Sequence, residues 1–332
     1  MKKTKVFLSF VLIGLLAVSA AIIPLQAAIP AEERAALIAF YNAASGDNWL
    51  YNWRWKTPPL HTDGFAMPGT EKDWYGIEVL DNHVASIYLF SNLLNGSIPP
   101  ELGNLSKLEW LGLNYNDLNG GIPPELGNLS KLRELWMSDN QLSGSIPPEL
   151  GNLGNLEYLD LYSNLLSGSI PPELGNLSNL VEMYLGDNQL RSSIPPEVGN
   201  LSNLLILNLG ENQLIDIIPS ELGNLSNLDH LILRSNQLTG NIPTSLSNLN
   251  KLGDIDISHN CLYTNDLDLK AWLNGFDPDW ESYQCEEEKD PPFGSFETPI
   301  DGSTVCSSIP VTGWALDDLG KKGQVDYFPT DK

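Results

Sequence analysis

Asparagine recurs every 24 residues through the middle of this chain, each time after a spaced run of apolar residues that are mostly leucine. The eight positions are Asn92, Asn116, Asn140, Asn164, Asn188, Asn212, Asn236 and Asn260. The first leucine of the run repeats with the same period, at Leu108, Leu132, Leu156, Leu180, Leu204, Leu228 and Leu252. One unit of this length cannot bury its own apolar edge, so the copies must stack on one another as a solenoid.

Within one unit, Leu111 and Leu113 alternate with less apolar neighbours, which predicts a short strand with one face in the core. Successive strands then pair in parallel. The side chain of Asn116 carries an acceptor and two donors, enough to satisfy backbone groups of its own turn and of the next. We therefore expect the eight asparagines to form one buried ladder. Ser192 and Asp216 stand where other units have glycine, and we expect the turn to change locally there.

The unit "LEWLGLNYNDLNGGIPPELGNLSK" and its copies resemble the plant-type leucine-rich repeat, LxxLxLxxNxLxGxIPxxLGxLxx, over residues 84–262. The resemblance implies an α/β leucine-rich-repeat solenoid whose parallel β-sheet lies on the concave side. It also implies a scaffold that binds proteins, peptides or glycans on that side. Together with the N-terminal and C-terminal segments, it suggests a secreted bacterial leucine-rich-repeat protein with plant-type repeats.

Residues 1–27 are typical of a secretory signal peptide. Lys2, Lys3 and Lys5 precede a mostly apolar run from Val6 to Val18, and small residues follow it. The alternative is a membrane span, but the run falls short of the roughly 20 apolar residues that a span needs. We expect export, to the medium or the cell surface, and no membrane span in the mature chain.

Caps are predicted at both ends of the repeats. In residues 28–83, Ala35, Leu37, Ile38 and Tyr41 have helical spacing, and Trp49, Trp53, Trp55 and Trp74 are large enough to cover the first coil. This cap has no cysteine pair and should be held by packing alone. The alternative for its tryptophans is an aromatic platform for sugars. In residues 263–285, a short helix around Leu267 to Leu273 should cover the last coil.

The chain has three cysteines, Cys261, Cys285 and Cys306, so three pairings are possible. We favour Cys261 with Cys285, because both lie at the C-terminal cap and an exported protein meets oxidising conditions. Three unpaired thiols remain the alternative. The spacing does not favour zinc, because CxxC and paired histidines are missing from the sequence.

Residues 286–332 begin with "EEEKDPP", whose acidic and proline content is typical of a linker. The following residues resemble the opening strands of an immunoglobulin-like module. About 45 residues are too few for a complete sandwich of roughly 100, so we expect only a partial, short β-like segment.

Large aromatic residues occupy outward positions of the predicted concave strands in five consecutive repeats. They are Tyr88, Phe90, Trp110, Tyr115, Trp136, Tyr158, Tyr162 and Tyr184, and carboxylates including Glu134, Asp139 and Asp160 stand among them. Strands lie about 4.8 Å apart, so the rings could form one continuous field. A contiguous apolar patch usually marks an interaction surface. The alternative is that neighbouring rings only stack on each other to stabilise the sheet.

A second group, His230, Asp254, Asp256 and His259, falls on the last two concave strands. Metal binding or acid-base chemistry is the functional interpretation, and a solvated polar face is the simpler one. The sequence offers neither a recognisable nucleophile nor oxyanion donors beside this group.

These patterns together predict a secreted, non-enzymatic scaffold that binds a protein or peptide on its concave aromatic face and uses no cofactor. The alternatives are a glycan-binding adhesin and an inhibitor of secreted hydrolases. The formal net charge is −24, and removal of the signal segment takes away three lysines and no acid, which makes it −27. Such a chain is a poor partner for nucleic acid or anionic membranes.

Overall fold

The computed structural model describes residues 28–285 and two short strands near the C-terminal end of the chain. The predicted signal peptide, residues 1–27, lies outside the described residues. So do Cys306 and most of the predicted linker and immunoglobulin-like segment, residues 286–332.

Seventeen strands lie within residues 28–285. In chain order they are β1 (Ile77–Leu80), β2 (His83–Tyr88), β3 (Asn95–Gly96), β4 (Trp110–Gly112), β5 (Asp117–Gly120), β6 (Glu134–Trp136), β7 (Gln141–Gly144), β8 (Tyr158–Asp160), β9 (Leu165–Gly168), β10 (Glu182–Tyr184), β11 (Gln189–Ser192), β12 (Ile206–Asn208), β13 (Gln213–Leu214), β14 (His230–Ile232), β15 (Thr239–Asn241), β16 (Asp254–Asp256) and β17 (Cys261–Tyr263). Each repeat thus contributes a strand of three residues and, in most repeats, a second strand after the asparagine.

The strands form two main sheets along the solenoid. A nine-stranded sheet has the order β1-β2-β4-β6-β8-β10-β12-β14-β16, and a six-stranded sheet has the order β13-β11-β9-β7-β5-β3. Every neighbouring pair from β2 to β16 in the larger sheet is parallel, as the repeat predicts. Only β1, which belongs to the N-terminal cap, pairs antiparallel with β2. The pair β15 and β17 continues the second row of strands at the C-terminal end.

Short 3-10 helices close each coil on the side away from the larger sheet. In the repeats they are Pro100–Asn104, Pro124–Asn128, Pro148–Asn152, Pro172–Asn176, Pro196–Asn200, Ser220–Asn224 and Thr244–Asn248, and three more lie in the caps at Gly46–Asn48, Glu71–Asp73 and Trp280–Tyr283. The repeated leucines of strands and helices meet between them. Leu111, Leu113, Leu126 and Leu129 are all fully buried, which confirms the predicted core of the unit.

The asparagines form the predicted ladder, with two differences: Asn116 and Asn140 are only half-buried, and the direction of the links is the opposite of the one expected. The side-chain oxygen of Asn164 accepts a hydrogen bond from the backbone N–H of Leu142 at 3.0 Å, and its amide donates to the carbonyls of Met137, Leu161 and Tyr162. Leu142 and Met137 belong to the preceding coil, so each asparagine links its own turn to the coil before it rather than to the next. The ladder therefore joins consecutive coils.

At Asp216 the expected local change appears in the strand pairing, because β13 ends at Leu214 and the six-stranded sheet ends with it, but the φ angles of Ser192 and Asp216 do not change. Both residues adopt the left-handed conformation, with φ of 76° and 65°, in which Gly120 stands with φ of 77°. A side chain in this conformation costs roughly 1–2 kcal/mol relative to glycine. The turn is therefore retained at an energetic cost.

The N-terminal cap contains α1 (Ala31–Ala43) and differs from its prediction in three ways. Trp49, Trp55 and Trp74 are buried as expected, but Trp53 is 61% exposed and contacts the rings of Tyr51 and Tyr75. On α1 itself, Ala35 is exposed and Ile38 only half-buried, so the buried stripe includes other positions.

The third difference is that packing alone does not hold this cap. Arg34 is buried, where its guanidinium pairs with Glu71 and with Asp63 and donates to the carbonyl of Ala66. Glu33 is also buried and accepts a hydrogen bond from the backbone N–H of Val84 at 2.8 Å. Polar bonds thus tie α1 to the rest of the cap and to the first strands.

The C-terminal cap contains α2 (Leu267–Leu273), at the bounds predicted from the sequence. Asp266 caps its first turn by accepting a hydrogen bond from the backbone N–H of Leu269 at 2.8 Å. A disulfide joins Cys261 to Cys285. The chain divides into two units, Met1–Glu286 and Glu287–Lys332, and the second holds an antiparallel pair, β18 (Ala315–Leu316) and β19 (Lys322–Gly323).

Candidate functional site

The outward side chains of the nine-stranded sheet form two rows that run across the strands, and we call this surface the ring face. The first row is Ser86, Trp110, Glu134, Tyr158, Glu182, Ile206, His230 and Asp254; the second is Tyr88, Gly112, Trp136, Asp160, Tyr184, Asn208, Ile232 and Asp256. The residues between the rows, such as Leu135 and Leu159, are fully buried. Alternation along each strand therefore sends one set into the core and the other to the ring face.

None of the eight predicted aromatic residues lies in the core. Phe90, Tyr115 and Tyr88 are exposed, and the other five are half-buried. Among the described residues, two ring pairs form on this face. Tyr88 and Trp110 have centroids 6.2 Å apart, and Trp136 stacks on Tyr158 at 5.8 Å with an interplanar angle of 20°. The rings therefore form local pairs rather than one continuous field.

Tyr115 lies off the strands, in the turn that follows β4. Its φ of 57° is left-handed, and the equivalent positions of the following coils, Asp139, Ser163 and Asp187, share that conformation. These turn residues form a third row along one edge of the ring face. Tyr162 and Phe90 lie between this edge and the strands.

Asp160 is the most buried acid of the ring face, with 8% of its surface exposed. One carboxylate oxygen accepts a hydrogen bond from the Ser138 hydroxyl at 2.5 Å, and the other accepts one from the backbone N–H of Tyr162 at 3.1 Å. Burial raises the pKa of the Asp160 carboxyl, these two hydrogen bonds lower it, and the nearby charges of Asp139 and Glu182 raise it. The net direction is upward.

Ser138 is a residue of this site that is not predicted from the sequence. It is buried beside Asp160, whose carboxylate it helps to fix. The sequence does contain a signal for Ser138. This residue follows Trp136 by two positions, which places it on the same side of the sheet, and it precedes Tyr162 by one repeat.

Carboxylates also hold the polar edges of two rings. The indole N–H of Trp136 donates to Glu134 at 2.9 Å, and the hydroxyl of Tyr184 donates to Glu182 at 2.8 Å. Burial, followed by the bond to Glu182, raises the pKa of Tyr184. These bonds restrict the rings to orientations in which their edges face the acids.

Burial perturbs two groups on this surface. The indole nitrogen of Trp110 is buried and has no hydrogen-bond partner among the described residues. Burial, and then repulsion by Asp187, raises the pKa of Asp139 at the edge of the ring face. Both features are typical of a surface that a ligand completes.

The second predicted group is not assembled into one site. His230 lies 3.5 Å from Asp229 and 3.9 Å from Asp254, whereas His259 stacks on Tyr283 with centroids 5.8 Å apart. Asp256 accepts hydrogen bonds from the backbone and hydroxyl of Ser258. Within residues 28–285 no cluster of His, Cys, Asp or Glu has an arrangement able to hold a metal ion.

Three leucine-rich-repeat profiles match consecutive parts of the chain. They are "Leucine Rich Repeat" over residues 107–129, "Leucine Rich repeats (2 copies)" over 130–176 and "Leucine rich repeat" over 178–238. No curated protein matches the chain at a significant level. In the part of the chain that the structure describes, none of the helices combines the length and the apolar character needed to cross a membrane.

Several solved structures are similar. A plant peptide hormone receptor, RGFR1 in complex with RGF2, is 42% identical over 52% of this chain and 28% of that chain, with a TM-score of 0.52. The leucine-rich-repeat ectodomain of the Arabidopsis receptor kinase HAESA, in complex with an IDA peptide hormone, is 37% identical over 57% and 33%, with a TM-score of 0.54. A plant ice-binding protein is 29% identical over 70% and 73%, with a TM-score of 0.59.

The chain spans only about a third, or less, of the length of the receptors that it matches. The matched profiles, the 24-residue register and the stacked parallel strands agree with one another. The chain is built of leucine-rich repeats, and its fold is the leucine-rich-repeat solenoid.

Proposed function

We propose that this protein is an exported, non-enzymatic recognition scaffold that binds a peptide, or an extended segment of a protein, on the ring face. The observation that carries the proposal is the outward placement of eight large aromatic side chains among carboxylates, five on the strands of one sheet and three beside its edge. Solvated strand faces rarely carry so much apolar surface, and rings with surrounding polar groups are the usual anchors of an interface.

The similar receptors support a peptide as the occupant. One is a plant peptide hormone receptor and the other was solved with a bound peptide hormone, and the matched parts of both are more than a third identical to this chain. The disulfide between Cys261 and Cys285 supports export, because such bonds persist in oxidising compartments. N-terminal sequencing of the mature protein tests export, with cleavage expected after Ala20 or Ala27.

A display library of random dodecapeptides, selected on the full-length protein, tests the binding proposal. Selected peptides should bind the wild type, and binding should be lost in Trp110→Ala/Trp136→Ala. A matched control removes two exposed apolar side chains elsewhere, Ile215→Ala/Ile217→Ala. Equal binding by both double variants overturns the ring face as the site.

Salt dependence separates the two predicted kinds of ligand. Attraction to the acidic ring face weakens as salt screens the charges, whereas stacking of rings on sugar faces does not. A bound peptide should therefore dissociate more readily between about 0.05 and 1 M salt, where the screening length falls from more than 10 Å to about 3 Å. Salt-independent binding to a glycan array favours the adhesin instead.

Ice binding is a second candidate function, favoured by the plant ice-binding protein, whose likeness covers similar shares of both chains. The six-stranded sheet has short polar side chains at the same position of three consecutive repeats, Asn119, Ser143 and Ser167, and Arg191 occupies that position in the next repeat. Thermal hysteresis measures this activity. It should be present in the wild type and lost in Ser143→Arg/Ser167→Arg, and its absence from the wild type rules the candidate out.

A further inference from the structure

Asp160 lies at the centre of four aromatic side chains. Trp136 and Tyr184 are its register partners on the two neighbouring strands, Tyr158 precedes it by two residues on its own strand, and Tyr162 follows it by two residues, just beyond the end of that strand. Neighbouring strands are about 4.8 Å apart, and residues two apart on one strand are separated by about 7 Å. This crossing of rings accounts for the burial of a carboxylate on the outward side of a sheet.

The charge of Asp160 is not compensated by a cation. Its two hydrogen-bond donors, the Ser138 hydroxyl and the Tyr162 backbone, are neutral. None of the ion pairs formed within residues 28–285 includes Asp160. The guanidinium groups on this sheet are engaged elsewhere, Arg133 with Glu157 and Arg234 with Glu211.

Neighbouring carboxylates add further negative charge around Asp160. Glu134 and Glu182 stand on the adjacent strands, one row away, and Asp139 lies at the edge of the face. Separating a carboxylate from water without a counter-ion is costly, and an incoming cation relieves that cost. Charge complementarity therefore selects a basic group as the occupant of this position.

We infer that the ring face recognises an arginine side chain of its peptide ligand, whose guanidinium stacks on the rings around Asp160 and pairs with the Asp160 carboxylate. This inference rests on the proposed function. Arginine fits better than lysine because a planar guanidinium stacks on aromatic faces and presents a fork of donors to a carboxylate. Trp136 and Tyr158, stacked within 20° of parallel, supply the flat surface.

The structural role of Asp160 can be separated from its charge. In the same row, the side-chain oxygens of Asn208 and Asp256 each accept the same hydrogen bond from the backbone N–H two residues later, at 3.1 Å. An asparagine at position 160 therefore retains the turn and the volume and removes the charge; its amide N–H can donate to the Ser138 hydroxyl, which in the wild type donates to the Asp160 carboxylate. Asp160→Asn is the test variant, and Asp256→Asn is its matched control at the far end of the row.

The experiment uses the peptides selected from the dodecapeptide library on the full-length protein. Each selected peptide is resynthesised with every arginine in turn replaced by lysine or by citrulline, which is neutral and of nearly the same shape. Affinities are measured by calorimetry for the wild type, Asp160→Asn and Asp256→Asn. Circular dichroism confirms that all three are equally folded.

We expect the selected peptides to share an arginine. Its replacement by citrulline should weaken binding to the wild type by about 10- to 100-fold, the range for a hydrogen bond to a charged group. The same replacement should change little in Asp160→Asn, which should itself bind the parent peptide about as weakly. Asp256→Asn should bind the parent peptide as the wild type does.

Three other outcomes overturn the inference, and they differ in what they imply for the proposed function. Peptides that depend on Trp136 but contain no required arginine refute the role of Asp160 and leave the ring face as a binding site. Equal losses in Asp160→Asn and Asp256→Asn show a diffuse charge effect and refute the specific contact. Failure to select any peptide that depends on Trp110 and Trp136 refutes both proposals.

Discussion

Truncation of one ladder asparagine, Asn188→Ala, tests the physical account of the solenoid. Asn188 is 9% exposed, and its side chain makes four hydrogen bonds to the backbone. Its oxygen accepts from the N–H of Leu166 at 3.0 Å, and its amide donates to the carbonyls of Leu161 at 2.9 Å, Leu185 at 3.2 Å and Gly186 at 3.1 Å. The alanine variant loses all four.

The magnitude follows from which backbone groups keep another partner. The carbonyls of Leu161 and Leu185 still accept from Asn164 and Asn212, and that of Gly186 from the N–H of Ser163. The Leu166 N–H loses its side-chain acceptor while buried, which costs about 1–3 kcal/mol. The three shared bonds contribute about 0.5–1 kcal/mol each. We therefore expect the free energy of unfolding to fall by about 2.5–6 kcal/mol.

Urea unfolding followed by far-UV circular dichroism measures this loss. The matched control is Asn179→Ala in the same region, because Asn179 is exposed and makes one bond, to the carbonyl of Gly154 at 2.7 Å. Its truncation should cost no more than about 1 kcal/mol. Equal losses in the two variants would show that the ladder does not stabilise the stack through buried backbone groups.

Three further predictions concern the N-terminal cap and the stacking of coils. Arg34→Met leaves the buried carboxylate of Glu71 unpaired and should lower the free energy of unfolding by about 3–5 kcal/mol, most of which the added Glu71→Gln should restore. For Asp63, burial raises the pKa, but hydrogen bonds, that from Arg34 foremost, outweigh it and hold the pKa at about 2, below the ordinary 3.8. The stability that this carboxylate contributes is complete above the unfolded pKa and should disappear as pH falls from about 4 towards 2, and Asp63→Asn should abolish that part of the acid dependence. Gly151→Ala places a Cβ 2.4 Å from a backbone oxygen of the next coil and should destabilise by about 1–3 kcal/mol in thermal melts, whereas Gly154→Ala, in open space, should be neutral.

The sequence predicts those features that every coil must repeat. The strand at Leu111 and Leu113, the ladder of asparagines and the buried leucines recur in the same register, so one physical requirement is written many times. The helix at Leu267–Leu273 was also predicted, because it begins where the period ends. Contacts that occur only once are harder to predict from the sequence, since each depends on a single pairing of residues that are distant along the chain.

The N-terminal cap shows this difficulty. An arginine on a helix is usually exposed to solvent. The burial of Arg34 is favourable only because Asp63 and Glu71 approach it from later segments of the cap. Trp53 is as apolar as the other three tryptophans of the cap. It is nevertheless exposed, because Trp49, Trp55 and Trp74 already fill the core of the cap. Hydrophobicity alone does not order four tryptophans that compete for three positions.

The environment of Asp160 is only partly predictable from the sequence. Its place on the ring face follows from the repeat, but its burial depends on which residues stand 24 positions before and after it, Trp136 and Tyr184. A reading of the sequence along columns of the repeat, rather than along the chain, brings these three residues together. The same columns separate Asp160 from Asp256, an acid in the same row without flanking rings.

One position of the repeat also changes its residue type where the stack of 3-10 helices ends. Six glycines of the repeated "GN" turn, Gly103, Gly127, Gly151, Gly175, Gly199 and Gly223, lie so close to the next coil that a Cβ would meet its backbone oxygen at 2.3–2.4 Å. In the last coil the equivalent residue is Ser247, and no further 3-10 helix of the repeat follows it in the described residues before α2. A side chain is tolerated there because the crowding carbonyl is missing. Glycine in this column therefore reflects contact between coils rather than a requirement of the turn itself, since the turn at Ser247 forms the same 3-10 helix without it.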